Sequence, residues 1–184
     1  MKTHTFWLMG LPSSGKTTLA SAVRDEFELT HLDSDEMRKF LTPSPMFAQG
    51  EREFVYRGII YTCHQLNKNG INVIISATAN LEKYRDLASE MLTNLKWIHI
   101  ECPIEICEKR DDKKLYVKSR EGLFTTVPIK IIGQNDEHIS KHYKEVDVFE
   151  YPEKVDFSIN TATLGLIEST NVLREYIKKI LTVN

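Results

Sequence analysis

The fold of this 184-residue chain is decided by Gly10-Leu-Pro-Ser-Ser-Gly15-Lys16-Thr17, close to the N-terminus. The stretch matches the pattern G-x-x-x-x-G-K-[ST], in which the backbone N–H groups of a glycine-containing turn surround the phosphates of a nucleotide. The apolar run Phe6–Met9 precedes the turn, and a helical pattern follows it. A strand, a phosphate-binding loop and the N-terminus of a helix are therefore predicted in this order, which favours a nucleotide site over a chance match.

Each residue type in the motif has a physical role. Gly10 and Gly15 allow backbone conformations that side chains disfavour. Lys16 supplies a positive charge to the β- and γ-phosphates of a nucleoside triphosphate, and the Thr17 hydroxyl is the predicted Mg²⁺ ligand. The predicted nucleotide-binding residues of the loop are Gly10, Leu11, Pro12, Ser13, Ser14, Gly15, Lys16, Thr17 and Thr18.

Composition and missing motifs exclude several classes of protein. The chain is 41% hydrophobic and 27% charged, with a formal net charge of -2, so it is neither disordered nor a generic binder of nucleic acid. No apolar run is long enough for a transmembrane helix. The three cysteines match no disulfide or zinc pattern; we expect them to be buried thiols in a cytoplasmic protein. A guanine-reading Asn-Lys-x-Asp motif and a Walker B run are absent, which disfavours GTPases and hydrolysing ATPases.

Short apolar runs alternate with amphipathic stretches along the chain. This pattern predicts an α/β fold with a five-stranded parallel sheet and helices on both faces, in a single P-loop domain that covers residues 1–184. The predicted strands are Thr5–Met9, Leu29–Leu32, Asn72–Ala77, Trp97–Glu101 and Val155–Ile159. The predicted helices are Lys16–Glu28, Glu53–Asn67, Lys83–Leu92 and Leu166–Leu181. We expect loops or insertions at Thr42–Gly50 and Lys109–Asp147, where the rhythm is broken.

A second candidate group of residues follows the second apolar run. Asp35 lies where a parallel sheet binds its ligands, so it can accept the proton of an acceptor hydroxyl or orient Mg²⁺ through water. Arg38, one helical turn later, can bind a phosphate or sulfate. The competing explanation is an N-capping aspartate with a nearby Asp–Arg pair. The preceding phosphate loop favours the functional interpretation.

Three segments together resemble the adenylylsulfate kinase (APS kinase) family. They are the P-loop, the Asp33-Ser-Asp35-Glu-Met-Arg38 block and the run from Pro103 to Gly122. The resemblance extends over roughly residues 5–123. It implies transfer of the γ-phosphate of Mg-ATP to the 3′-hydroxyl of adenylylsulfate, and it allows a homodimer. A lid from about Lys109 to Gly122 is also implied; the competing explanation is a solvated basic helix.

The resemblance implies roles for individual residues. Asp35 and Lys16 are the candidate catalytic residues. Arg110 and Lys118 would bind ATP from the lid, where Lys113 or Lys114 and Arg120 add charge. Asn160-Thr161 occupies the position that contacts the donor adenine. The candidate acceptor-binding residues are Asp35, Arg38, Arg52, Arg57 and Arg85.

The departures from the family lie on the acceptor side. Val55 replaces an asparagine, Glu82 stands where an anion-binding arginine is expected, and the sequence after Gly122 differs, with Phe124 as a candidate for stacking on a base. These changes leave three interpretations. One is a divergent APS kinase with compensating residues, and another is a kinase for a different small acceptor, such as cytidine diphosphoramidate or another CDP derivative. The third, a nucleotide-binding regulator without phosphotransfer, is disfavoured by Lys16 and Asp35.

Overall fold

The structure is a computed structural model, and it describes residues 2–43, 49–121, 130–132 and 148–182. Within these residues, strands and helices alternate along most of the chain. In order they are β1 (Thr5–Met9), α1 (Lys16–Val23), β2 (Thr30–Asp33), α2 (Ser34–Leu41), α3 (Gln49–Lys68), β3 (Val73–Ser76), α4 (Glu82–Met91), β4 (Leu95–Glu101), α5 (Ile104–Lys109), α6 (Leu115–Arg120), β5 (Lys130–Ile132), β6 (Val148–Glu150), β7 (Phe157–Asn160) and α7 (Leu166–Thr182).

The main sheet has five strands in the order β2-β3-β1-β4-β7. All four pairings within it are parallel. This confirms the predicted α/β fold and five-stranded parallel sheet. The chain returns to opposite sides of β1, so a crevice opens beyond the carboxyl end of this strand, which is where open α/β sheets bind their ligands.

Both faces of the sheet are covered, because the central strand β1 carries apolar side chains on both of its faces. Along β1, Phe6 and Leu8 point into a core shared with α1 and α7. Trp7 and Met9 point into the opposite core, which α3 and α4 cover. A continuous apolar strand therefore has packing partners on both sides, as expected of a buried parallel strand.

The first helix is shorter than the sequence pattern predicts. It ends at Val23, whereas the apolar spacing continues to Phe27 and predicts a helix to Glu28. Glu28 has a left-handed backbone with φ 52°, and the N–H of Leu29 donates to the Arg24 carbonyl. This turn redirects the chain into β2 while Phe27 still packs on the core, so the apolar spacing does not reveal the helix end.

Two predicted loop regions contain regular structure. The third helix already begins at Gln49, inside the predicted loop Thr42–Gly50. The segment Lys109–Asp147 contains α6 and also β5, which pairs in parallel with β6 as a separate two-stranded sheet. These elements have six and three residues, too few for a periodicity to be recognised. Phe124 lies outside the described residues.

The sequence also predicts that the three cysteines are buried and that the chain has no transmembrane helix. All three cysteines are free, with Cys63 and Cys107 buried, whereas Cys102 is only half-buried, contrary to expectation. Across the described ranges, no helix has the length and hydropathy needed to cross a bilayer.

Replacement of Ile98 by alanine should strongly destabilise the fold. Ile98 lies on β4 and is completely buried in the core shared with α1 and α7. Its truncation should lower the free energy of unfolding by about 2 to 5 kcal/mol, measured by urea denaturation. Ile167→Ala is the matched control, because that side chain is 79% exposed and the change should stay within about 0.5 kcal/mol. Equal effects of the two substitutions would contradict this packing.

His99 gives the fold a pH dependence of known sign. Burial lowers its pKa to about 4, with a smaller opposing contribution from Glu101 and further lowering by Arg85 and Lys16. The unfolded chain therefore binds a proton near pH 6.5 that the folded chain does not, so this stabilisation is complete above that pH and is lost as the pH falls towards 4.

Between pH 7 and pH 4, the free energy of unfolding of the wild type should fall by about 3 kcal/mol more than that of His99→Gln. Urea denaturation at several pH values measures this slope. His64→Gln, on α3, should keep the wild-type slope. An unchanged slope in His99→Gln would show that His99 titrates normally in the folded state.

Candidate active site

The phosphate loop has the backbone geometry that its sequence predicts. Gly10 has φ 143°, and a Cβ at this position would lie 2.5 Å from the carbonyl oxygen of Ile100. Gly15 has φ 102°, and the non-glycine Ser13 also has a left-handed backbone, with φ 61°. Left-handed residues alternate with ordinary ones here, which is how a loop turns successive N–H groups towards one anion.

Lys16 is buried at the base of this loop. Its Nζ donates to the carbonyl oxygens of Gly10 at 3.0 Å and Leu11 at 2.7 Å. Burial lowers the pKa of Lys16 to about 8, although Asp35 and Asp33 oppose the shift. The ammonium is therefore still largely charged at neutral pH, and two weak carbonyl partners hold it where phosphate oxygens can replace them.

Thr17 belongs to a hydrogen-bonded network that sequence reasoning missed. Its hydroxyl donates to Asp33 Oδ2 at 2.7 Å, and Ser76 Oγ donates to the same oxygen at 2.6 Å. Because the single Ser76 hydrogen goes to Asp33, His31 Nε2 donates the 2.8 Å bond that it shares with Ser76. Burial alone would raise the pKa of Asp33, but bonds from Ser76, Thr17 and two backbone N–H groups outweigh it and lower the pKa.

The Thr17–Asp33 pair is suited to Mg²⁺. Both side chains present hard oxygen atoms beside the phosphate loop, and Mg²⁺ on a nucleotide usually takes one or two protein oxygens together with phosphates and waters. Among the described residues, no cluster of three His, Cys, Asp or Glu side chains could hold a metal without a nucleotide. Thr17 and Asp33 are therefore the residues that would hold Mg²⁺, directly or through water, when it arrives with ATP.

A single cleft of about 980 Å³ connects the phosphate loop with the carboxyl ends of β2 and β3. Its volume is at the upper end of the range for small-molecule sites. Its lining includes Thr161 and the beginning of α7. The wall contributed by α2, α3, the end of β3 and the residues just after α2 and β3 contains Arg38, Lys39, Thr42, Pro43, Arg52, Val55, Tyr56, Ser76 and Thr78.

Asp35 lines this cleft and is paired with a residue of the segment predicted as a lid. Lys113 Nζ donates to Asp35 Oδ2 at 2.9 Å, and both side chains are more than half exposed. The pKa of Lys113 is raised by this hydrogen bond and by the charge of Asp35. Asp33 caps α2 by accepting the N–H groups of Asp35 and Glu36, so the Asp35 side chain is left for the cleft.

Two of the candidate acceptor-binding arginines line the cleft, but they have different partners. Arg38 lies 3.8 Å from the Glu51 carboxylate, so part of its charge is compensated. Arg52 is buried in the wall, and its Nη1 donates to the neutral side-chain oxygen of Asn80 at 3.1 Å.

Arg57 and Arg85 do not belong to the described wall of the cleft. Arg57 is 60% exposed on the outer face of α3 and pairs with Glu53 at 2.9 Å. Arg85 is buried and donates to the Ala79 carbonyl. Glu82 is exposed and likewise lies outside the described lining, so the charge reversal expected there does not face the cleft.

The segment predicted as a lid contacts the nucleotide end of the cleft. Arg110 donates to the carbonyl and hydroxyl oxygens of Thr161, and Tyr116 Oη donates to the Pro12 carbonyl. Arg110 and Lys113 line the cleft. Lys118 instead donates to the Lys113 carbonyl, outside the described lining, and Arg120 pairs with Glu108.

Several residues around the cleft were not singled out from the sequence. Asp33 could have been, since it ends a strand two residues before Asp35. Ser76 and Thr78, by contrast, are ordinary residues at the end of β3, and Asn80 lies in a block that differs from the family. Their positions depend on the parallel register of β2 and β3, which aligns Asp33 with Ser76.

Comparison with known proteins identifies the group to which this chain is related. The family model for adenylylsulphate kinase matches residues 2–137. A probable adenylyl-sulfate kinase from Synechocystis sp. is 34% identical over 123 residues, which cover 64% of this chain and 70% of the relative. An adenylyl-sulfate kinase from Synechococcus sp. is 26% identical over 180 residues, which cover 95% of this chain and 93% of the relative.

Solved structures share the fold. The APS kinase of Mycobacterium tuberculosis in complex with AMPPNP and APS superposes with a TM-score of 0.76 at 22% identity, over 96% of this chain and 98% of that one. A gluconokinase from Sinorhizobium meliloti gives a TM-score of 0.58 at 16% identity, over 97% of each chain. Together with the P-loop and the family match over most of its length, this shows that the chain belongs to the adenylylsulphate kinase family, ATP-dependent phosphotransferases with a hydroxyl acceptor.

Proposed function

We propose that this protein transfers the γ-phosphoryl group of Mg-ATP to the ribose 3′-hydroxyl of adenylylsulfate. One observation carries the proposal: the phosphate loop, Asp35, Arg38 and Arg52 all line the same cleft. A phosphoryl donor at the loop and an anionic acceptor at the arginines would meet beside a carboxylate. Phosphoryl transfer depends mainly on such positioning and on charge stabilisation.

The donor half supplies positive charge and directed N–H groups. The ammonium of Lys16 lies within reach of the β- and γ-phosphates once it leaves the Gly10 and Leu11 carbonyls. Bound through Thr17 and Asp33, Mg²⁺ would neutralise charge on the phosphate oxygens. Arg110 and Thr161 lie where the nucleoside part of ATP would extend towards α7.

The acceptor half is suited to an anion attached to a nucleoside. Arg38 and Arg52 offer planar guanidinium groups, which match the oxygens of a sulfate or phosphate. Tyr56 and Val55 give the same wall an apolar surface that a base or ribose can cover. The relatives that are about one-third identical carry the name adenylyl-sulfate kinase, which supports the sulfated nucleotide as the acceptor.

The proposed reaction balances with these residues alone as proton and charge partners. The 3′-oxygen forms a bond to the γ-phosphorus, and the bond from that phosphorus to the β,γ-bridging oxygen breaks. Asp35 accepts the proton of the hydroxyl, and Lys16 stabilises the charge that develops on the leaving ADP. Contacts from the lid to Pro12 and Thr161 keep water from the phosphoryl group.

A different acceptor, such as a CDP derivative, is the second candidate. It is favoured by Val55, which places an apolar side chain in the acceptor wall where the family has an asparagine. Glu82 gives this candidate less support, because its side chain lies outside the described wall. Both acceptors combine a ribose hydroxyl with an anionic group, so the cleft chemistry is shared and only the base and anion contacts differ.

ADP release with different acceptors tests the proposed substrate. With ATP and Mg²⁺, adenylylsulfate should give turnover well above that of CDP derivatives and of nucleoside monophosphates. A coupled assay measures ADP, and mass spectrometry locates the new phosphate on the product. Turnover with a CDP derivative but none with adenylylsulfate would replace the proposed acceptor by the second candidate.

Asp35→Asn should remove turnover but not ATP binding. Loss of a general base costs about 100- to 10,000-fold in rate, so kcat should fall within this range while the Kd for ATP, measured by calorimetry, stays near wild type. Asp86→Asn, an exposed aspartate of α4, is the matched control and should be fully active. Retention of more than half the wild-type kcat in Asp35→Asn would assign the base to another residue.

A further inference from the structure

The loop between β3 and α4 holds a buried amide next to the acceptor wall. Asn80 is completely buried, and the preceding Ala79 has a left-handed backbone with φ 48°. The N–H of Ala79 donates to Tyr56 Oη at 2.7 Å, and the carbonyl of Ala79 accepts from Arg85 at 2.8 Å. The loop is therefore fixed from both sides, in a conformation that a non-glycine residue rarely adopts.

Both ends of the Asn80 side chain have assigned partners. Nδ2 donates to the Val148 carbonyl of β6 at 2.8 Å, and Oδ1 accepts from Arg52 Nη1 at 3.1 Å. The orientation of the amide is determined, because a carbonyl can only accept and a guanidinium can only donate. The backbone of Asn80 adds a further tie, since its carbonyl accepts from the N–H of Glu150 at 2.8 Å.

Asn80 can act on a ligand only through Arg52. It has no exposed surface and does not belong to the described lining of the cleft, whereas Arg52 does. The amide oxygen is neutral, so it orients the guanidinium through this hydrogen bond without adding a negative charge of its own. The neighbour of Arg38 at 3.8 Å is instead the Glu51 carboxylate.

We propose that Asn80 is the positioning residue that holds Arg52 for the anionic group of the acceptor. The inference rests on the proposed function, which makes Arg52 an acceptor-binding residue. A guanidinium that is already oriented loses little rotational freedom when it binds an oxyanion, so affinity for the acceptor is higher. Because the same amide holds Val148, the position of Arg52 also depends on the anchoring of β6.

Steady-state kinetics of Asn80→Ala test the functional consequence. The KM for adenylylsulfate should rise about tenfold, the cost of one charge-assisted hydrogen bond, while the KM for ATP stays within about twofold. In an Arg52→Ala background, Asn80→Ala should have no further effect on the KM for the acceptor, because its effect is transmitted through Arg52. Equal changes in both KM values, or an additive double mutant, would overturn the proposal.

Glu150→Ala is the matched control. It removes another contact between β6 and the same loop, the 2.5 Å bond from the Glu82 N–H to Glu150 Oε2, without touching Arg52. The KM for the acceptor should remain at the wild-type value in this variant. If it rises as in Asn80→Ala, general loosening of β6 explains the effect and positioning of Arg52 does not. Should Asn80→Ala fail to fold, Asn80→Ser takes its place with the same expected values.

Nitrogen-15 NMR of the arginine side chains tests the positioning without any acceptor. The Arg52 signal, assigned with Arg52→Lys, should report a restrained guanidinium in the wild type and in Glu150→Ala, and a more mobile one in Asn80→Ala. A guanidinium as restrained in Asn80→Ala as in the wild type would overturn the proposal, whatever the acceptor. If the wild type turns over no anionic acceptor, the proposed function itself is wrong and the role of Asn80 in binding falls with it.

Discussion

The backbone of the phosphate loop passes so close to the end of β4 that a Cβ at Gly10 would lie 2.5 Å from the carbonyl oxygen of Ile100. This close approach is possible because β1 and β4 pair in parallel and the loop leaves the sheet between β4 and β3. It fixes the curvature of the loop, and with it the position of Lys16 at the start of α1. This one steric constraint therefore also determines where the Lys16 ammonium and the Thr17 hydroxyl lie. It likewise places the Pro12 carbonyl that accepts from Tyr116.

Three cations that line the cleft differ in the partners that hold them. Lys16 is held by backbone carbonyls, Arg52 by a neutral amide, and Arg38 lies near a carboxylate. Neutral partners fix a cation and leave its charge for a ligand, whereas an acidic partner reduces the attraction before a ligand arrives. The hydrogen bonds that hold Lys16 and Arg52 therefore fix these cations without adding negative charge of their own.

The sheet and the donor end of the cleft could be predicted from the sequence, because both depend on local patterns. Apolar runs such as Phe6–Met9 correspond to strands buried on both faces, and the phosphate loop carries its glycines at fixed spacing. The end of α1 could not be predicted, since Phe27 continues the apolar spacing beyond Val23.

The acceptor side was harder to predict, because its residues are brought together only by tertiary structure. Asn80 meets Arg52 across 28 positions of sequence and Val148 across 68. Arg57, which the resemblance included among the acceptor arginines, is 60% exposed on α3 and pairs with Glu53, outside the described lining of the cleft. Similarity of sequence assigns residues to an element, but only the packing of that element decides which of its side chains face the cleft.

The ion pair between Lys113 and Asp35 has a consequence for the order of events. With Asp35 in its proposed role as the base, the ammonium occupies one oxygen of the carboxylate before an acceptor arrives, so any molecule that uses this oxygen must first displace Lys113. Both side chains are about 60% exposed, and exposed pairs of this kind are worth no more than about 1 kcal/mol. An acceptor hydroxyl would therefore displace the ammonium at little cost, and the pair can form again once the product has left.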